Sequence, residues 1–219
     1  MSLKVDENIK RQVAEMFKHM EKAVIAKIFL SDERCFSCNE TLQILNLLGE
    51  LAPKEKLIIK QFKTGENDEE IKAHNVDRFP TVILNTDKNI NVRFAGIFSG
   101  YEFGTMVEDI LDLSLGKITL DAASKDKITS IDKPMHIMVF VTPTCPYCPA
   151  AVRLAHKAAM LNESIIGEMV EAQEFPELSN KFHVMGVPRT VINDGKVQYE
   201  GALPENVFVE KLLEAYKKM

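Results

Sequence analysis

Apolar residues recur along the chain in two rhythms, and the change from one to the other marks successive elements. Ile9, Val13, Phe17 and Met20 fall on one face of a helix spanning Asn8 to Met20. Lys22 to Leu30 is a run rich in Val, Ile and Phe and reads as a buried strand, followed by the polar loop Ser31 to Arg34. Leu42, Leu45 and Leu48 then continue a helix from Cys38, with Gly49 or Pro53 as its end. Lys56 to Phe62 reads as a second strand and Asn67 to His74 as a short charged helix. Phe79-Pro80 leads directly into the apolar run Thr81 to Leu84. Asn91 to Ala95 alternates and stops at Gly96, as a hairpin partner would. Ser99 and Glu102 have capping-box spacing, opening a helix with Phe103, Val107, Ile110 and Leu111 on one face.

After Gly116 to Thr119 the order restarts. A short helix in Asp121 to Thr129 precedes a strand at Met135 to Val141, and Val152, Ala155 and Ala159 mark a helix face. A strand near Ile165 to Val170, a helical piece near Pro176 to Phe182, Val187-Pro188 with its strand, a turn at Asn193-Asp194-Gly195 and a last strand at Val197 to Tyr199 follow. Pro204 opens a terminal helix with Val207, Leu212 and Tyr216. Cys38 and Pro80 stand 42 positions apart, and Cys148 and Pro188 stand 40 apart. Order and spacing both recur, which predicts two α/β units, residues 1–116 and 117–219. Each would hold a mixed central sheet flanked by helices, in βαβαββα order.

The repeat contains all four cysteines. Cys35-Phe36-Ser37-Cys38 and Cys145-Pro146-Tyr147-Cys148 each lie between an apolar strand and an amphipathic helix. A helix start offers free N–H groups and the positive end of its dipole, which favour a thiolate. Pro146 suits a first helical position. Cys38 and Cys148 are then placed to resolve a mixed disulfide formed on Cys35 and Cys145. The competing reading is a zinc site, but zinc ribbons separate their Cys pairs by about 15 to 20 residues. Here 106 residues intervene, and each pair has its own strand, helix and proline. The five histidines show no ligand spacing, and no lone cysteine is available for a hydrolase. A net charge of −5 argues against nucleic acid, no apolar run is long enough for a bilayer, and Met1 to Glu7 carries no apolar signal core. These features lead us to expect a cytoplasmic protein with no membrane and no nucleic-acid partner.

These residues resemble the thioredoxin superfamily: a dithiol at a helix start, an X-Pro about forty residues later, and a glycine after the next strands. Two such units in one chain, both with intact dithiols, look like the protein disulfide oxidoreductases of thermophilic archaea and bacteria. Cys-Pro-Tyr-Cys is the glutaredoxin-type dithiol. The tandem also resembles the N-terminal region of the flavoprotein component of alkyl hydroperoxide reductase, in which one dithiol is normally lost and a flavoprotein follows. The resemblance implies redox-active Cys35, Cys38, Cys145 and Cys148. It also implies cis bonds at Phe79-Pro80 and Val187-Pro188, with the backbone of Phe79 and Val187 offered to a substrate strand. Gly96 and Gly201 are read as sites of close substrate approach. It implies no metal and no cofactor in the chain, protein thiols and disulfides as partners, and recycling by an NADPH-dependent, flavin-containing thioredoxin reductase. The alternatives are a metal-holding or partner-docking module, or a dithiol electron carrier to a peroxidase. Two departures stand out. The chain has no Trp, and the buried aspartate expected six positions before each first cysteine is replaced by Phe29 and Val139. Glu168, Glu171 and Lys60 on neighbouring strands are the candidates to accept the proton instead.

Local charge separates the two sites. Asp32 and Glu33 precede Cys35 and oppose a thiolate there, with Arg34 as offset and Arg78 near the following proline. Thr142, Pro143 and Thr144 carry no charge, and Arg189 follows Pro188. Cys145 is therefore expected to be alkylated faster than Cys35 in the reduced protein. Competitive labelling across about pH 4 to 9, read by peptide mass spectrometry, checks this. Faster modification of Cys35 at every pH would reverse the ranking.

Overall fold

The structure is a computed structural model describing residues 6–33, 35–86 and 90–219. The first five residues and Arg34, counted above, lie outside it. The first half runs α1 (Glu7–Phe17), β1 (Val24–Leu30), α2 (Cys38–Leu51), β2 (Leu57–Lys63), α3 (Asp68–Ala73), β3 (Thr81–Asn85), β4 (Asn91–Ala95) and α4 (Glu102–Leu115). The second half repeats the order as α5 (Ala122–Thr129), β5 (Met135–Val141), α6 (Cys148–Leu161), β6 (Ile165–Glu171), α7 (Pro176–Lys181), β7 (Arg189–Ile192), β8 (Val197–Glu200) and α8 (Glu205–Lys217). This is the α/β architecture expected from the repeat, with tandem thioredoxin-like folds and mixed strand directions.

The halves share one sheet. The strand order is β2-β1-β3-β4-β6-β5-β7-β8. Within each half a parallel pair, β1 with β2 and β5 with β6, is extended by an antiparallel hairpin. The junction is a parallel pairing of β4 with β6, from Asn91 opposite Ile166 to Ala95 opposite Val170. Tracing directions across the sheet, β1, β4, β6 and β5 all point the same way.

Side-chain alternation on the strands divides the core between two faces. Ile28, Val92, Ile137 and Val139 pack with Phe17 of α1, Leu45 of α2, Met106 of α4, Val152 of α6 and Leu212 of α8. On the opposite face Phe29 and Ile83 pack with Ile71 of α3, and Met138, Phe140 and Val191 pack with Leu178 of α7. Of the two ends expected for α2 it is Pro53 that holds, the helix stopping just before it, and one expected cap is not formed. Gly49 does not end α2, which continues to Leu51; a Cβ there would stand 2.8 Å from Ile59 Cδ1, so the glycine lets the helix settle on β2. Ser99 and Glu102 form no capping box, because Tyr101 is the N-cap of α4 and Glu102 is buried with neither carboxyl oxygen hydrogen-bonded.

Polar groups join the halves on both faces. On the α4/α6 face, Asp109 is fully buried and accepts from His156 Nδ1 at 2.6 Å and from Arg153, while His156 Nε2 reaches the Arg93 carbonyl at 3.1 Å. On the α3/α7 face, Glu168 accepts from Arg78 at 2.9 Å and His136 at 2.6 Å. Removing one member of a buried ion pair leaves uncompensated charge and costs about 3 to 5 kcal/mol. Asp109→Ala is therefore expected to lower Tm by roughly 6 to 20 °C, at the roughly 2 to 4 °C per kcal/mol typical of this chain length. Thermal denaturation followed by circular dichroism checks it, and an unchanged Tm would show that the cluster does not hold the seam.

Candidate functional site

Both dithiols leave the same rim of the sheet. Cys35 and Cys38 follow β1, and Cys145 and Cys148 follow β5, which runs in the same direction. Each pair is closed as a disulfide with Cα atoms 5.5 Å apart. The helices begin at the second cysteine of each pair, so Pro146 lies before α6 and it is Pro149 that occupies the first turn. The first cysteines sit just ahead of the open N-termini of α2 and α6. Cys145 and Cys148 are buried, while Cys35 and Cys38 are half-buried. The residue after each first cysteine, or the next one, is a protruding ring: Phe36 is 90% exposed and Tyr147 71%.

The two prolines are placed alike. Phe79-Pro80 and Val187-Pro188 are cis. The Pro80 carbonyl accepts from Gly96 N–H and the Pro188 carbonyl from Gly201 N–H, both at 2.8 Å. Gly96 and Gly201 have φ of +84° and +85°, the region in which only glycine is free of strain. Their surroundings differ. A Cβ on Gly201 would meet nothing within 4 Å, which leaves room for close approach. A Cβ on Gly96 would lie 2.7 Å from Glu171 Cβ and 3.0 Å from Glu174 Oε1, so the second half occupies the space assigned to substrate. Phe79 lines a cleft of about 680 Å³ with Ser31, Glu33 and Glu174. A cleft of about 620 Å³ lies between the dithiols, lined by Phe36, Ser37, Pro143, Glu171 and Glu174.

The carboxyl groups sort by environment. Lys60 lies on the outer edge strand and is exposed, so it is not placed as a buried acceptor. Glu168 is buried on the α7 face. Burial alone would raise its pKa, but the His136 hydrogen bond and the charges of Arg78, His136 and Arg93 outweigh it and hold the group at about 2. It stays ionised and is not a proton acceptor at neutral pH. Glu171 lines the inter-dithiol cleft and is pushed up by burial, with further upward pressure from Glu174 and downward pulls from the Glu174 and Gln173 N–H groups. Phe29 and Val139 are both buried, but on opposite faces. The loop from β1 to Cys35 is one residue longer than that from β5 to Cys145, so Ile28, not Phe29, faces the α2 side.

Two glutamates not proposed as acceptors from the sequence lie by the seam: Glu102, buried at the start of α4, and Glu174, which bonds across it. Burial pushes Glu102 up to about 7, against a small downward pull from the Thr105 hydroxyl. α4 and α6 lie side by side: Tyr101 N–H donates to the Pro143 carbonyl at 3.1 Å, and Asp109 meets Arg153 further along. Glu102 therefore lies at the level of Cys145 and Cys148. Gly100 permits this approach, since a Cβ there would overlap the Pro143 carbonyl. In the other direction, Glu174 accepts from Ser37 Oγ within the first dithiol loop and from Ile97 N–H, both at 2.6 Å. The charges read from the sequence are engaged elsewhere. Asp32 pairs with Lys63 at 2.8 Å, and Arg189 is held by Glu200 at 3.3 Å and Gln198 at 3.0 Å. Arg78 is committed to Asp77 and Glu168.

Comparison with known proteins agrees with this geometry. A family model described as a thioredoxin domain matches residues 135–214. The crystal structure of a protein disulfide oxidoreductase from Aeropyrum pernix K1 is similar at 31% identity and a TM-score of 0.90, covering 99% of this chain and 95% of that one. The NTD_N/C domain of the alkyl hydroperoxide reductase AhpF of Enterococcus faecalis (V583) is similar at 25% identity and a TM-score of 0.84, covering 95% and 100%. The corresponding alkyl hydroperoxide reductase protein of Staphylococcus epidermidis is 27% identical over 94% of this chain. The chain spans between 33% and 37% of the length of the curated relatives it matches. Among the described residues no helix is long and apolar enough to cross a membrane, and no three His, Cys, Asp or Glu side chains gather as a metal site. With two closed Cys-x-x-Cys pairs, paired cis-prolines and a relative matched from end to end, the chain belongs to the protein disulfide oxidoreductases of the thioredoxin superfamily.

Proposed function

We propose that this disulfide oxidoreductase exchanges disulfides with polypeptide substrates at both of its dithiols. What carries the reading is the duplicated constellation: dithiol, cis-proline and a glycine N–H on the proline carbonyl occur twice on one rim. In reduction, the Cys145 thiolate attacks one sulfur of a substrate disulfide, that S–S bond breaks, and the other substrate sulfur leaves as a thiolate that takes up a proton. Cys148 then attacks Cys145 Sγ, the mixed disulfide breaks, and the second substrate thiol departs. Two electrons have passed to substrate and the Cys145–Cys148 disulfide remains. Cys35 and Cys38 act in the same way, and the reverse sequence oxidises a substrate dithiol. The backbone of Phe79 and Val187 aligns the substrate strand, with Phe36, Tyr147 and Met185 as exposed apolar contacts. Gly201 leaves the second site open. Direction depends on reduction potential, which spans about −270 to −120 mV among such proteins. An NADPH-dependent flavin reductase is the proposed source of electrons. The second reading, a dithiol relay to a peroxidase, draws support from the likeness to the AhpF-type alkyl hydroperoxide reductases.

Dithiothreitol-driven reduction of insulin tests the first reading. Activity should survive in part in Cys35→Ser and in Cys145→Ser and vanish in the double variant; full activity in the double variant would sink the proposal. Coupling the protein to a flavin reductase and offering either insulin or a peroxidase with hydroperoxide separates the two readings.

Glu102 is proposed to hold the proton exchanged at the second dithiol. Its folded pKa is about 7 against an ordinary value of 4.5, so folding favours its neutral form. That contribution is complete below about pH 4.5, falls as pH rises, and is lost above pH 7. Glu102→Gln keeps the shape without the ionisation. The variant is therefore expected to gain stability over the parent between pH 4 and pH 8, by on the order of 3 kcal/mol. Its exchange rate at Cys145–Cys148 should also lose a titration step near pH 7. A pH-independent stability difference and an unaltered rate profile would remove Glu102 from this role.

A further inference from the structure

We infer that Glu174, carried by the second half of the chain, is a positioning residue for the first dithiol, its carboxylate holding the Cys35–Cys38 pair at a lower reduction potential than a neutral side chain would. The inference rests on the reading of Cys35–Cys38 as a working dithiol.

Ser37 lies between the two cysteines and is buried. It is the N-cap of α2, where a serine hydroxyl ordinarily accepts from a backbone N–H of the first turn. This one makes no such bond. It donates to Glu174 Oε2 at 2.6 Å instead, and lies 3.3 Å from Thr41 Oγ1. The other carboxylate oxygen accepts from Ile97 N–H at 2.6 Å. Both oxygens thus face donors of the first half, an arrangement suited to the ionised group. The backbone of Glu174 is itself anchored, since its N–H donates to Glu171 Oε2 at 2.7 Å. Ile97 follows Gly96, whose N–H holds the Pro80 carbonyl. One carboxylate therefore ties the dithiol loop to the segment that holds the cis-proline.

The electrostatic consequence has a definite sign. A reduced Cys35 would draw on the positive N-terminus of α2 for its thiolate. Glu174 places a negative charge at that same helix start, and Glu171 and Glu40 line the same cleft. The reduced pair is disfavoured relative to the disulfide. Tyr147, which stands where Ser37 does in the second dithiol, is largely exposed and offers no such link. The potentials of the two pairs are set apart by a residue that belongs to neither the first dithiol nor its half of the chain.

The test equilibrates the full chain in glutathione buffers, traps free thiols by alkylation and quantifies each pair by peptide mass spectrometry. Glu174→Gln is expected to shift Cys35–Cys38 about tenfold toward the reduced form, about 30 mV upward, with Cys145–Cys148 unmoved. Ser37→Ala keeps the carboxylate and removes its donor, so it is expected to leave the first potential unchanged or lower. The inference is overturned if Glu174→Gln leaves the first pair in place, moves both pairs alike, or is matched in sign and size by Ser37→Ala. In the parent protein, a Cys35–Cys38 pair that never equilibrates with glutathione would overturn the reading of that pair as a dithiol, and this inference with it.

Discussion

The parallel pairing of β4 with β6 is the contact on which the rest of the arrangement depends. An exposed strand edge would invite association with another chain. Here the inner edges of the two halves meet and close each other. Because the pairing is parallel, β1, β4, β6 and β5 end on one rim, and both dithiols with them. An antiparallel junction would have turned one dithiol to the opposite side. The same pairing brings the loop after β4 against the second dithiol and the loop after β6 against the first. The Tyr101–Pro143 and Ser37–Glu174 bonds are its direct products.

Much of this was legible because each half repeats a strong local pattern. Strand boundaries came within about two residues, since buried strands of Val, Ile and Phe bounded by polar loops leave little choice. The cis-prolines and their glycines recurred in spacing and are found in matching geometry. The seam was not legible. Parallel pairing between β4 and β6 requires no turn and leaves no short-range signal, and β4 looks like any edge strand with one apolar face. The passage of α2 through Gly49 to its end before Pro53 and the missing Ser99–Glu102 cap share that origin. Each is decided by a neighbour distant in sequence, Ile59 in one case and the buried interface of α4 and α6 in the other.

Charge was the least legible property. Asp32 stands beside the first dithiol in sequence and Arg189 beside the second cis-proline, yet each has a partner that spends its field locally, Lys63 and Glu200. Exposed pairs of this kind count for little. The carboxyls proposed here for the sites come from far along the chain, Glu102 buried and Glu174 half-buried, where their influence is less screened. Glu102 reads from the sequence as a helix cap, and nothing in the sequence singles out Glu174. On the inference drawn for Glu174, the carboxylate opposing Cys35 comes from the second half and not from the residues beside it in sequence. Access works the other way, because Cys35 is half-buried and Cys145 buried.

The exchange of carboxyls between halves also bears on why the strand positions could become apolar. A proton-handling acid on the strand itself would be a charge in the core of each unit, costly unless paired. Phe29 instead stacks on Phe62 with ring centres 5.1 Å apart, and Val139 packs beneath α6. In the reading proposed here, the acid has moved to the seam, where the neighbouring half supplies it at a helix start or a loop. The first-half acid, Glu102, is pushed up to about 7 by burial; the second-half acid, Glu174, is held by two donors at the first dithiol. In that reading one carries a proton and the other presents its carboxyl oxygens to two donors. On that proposal, two dithiols built on one repeated pattern are made chemically unequal by the junction that joins them.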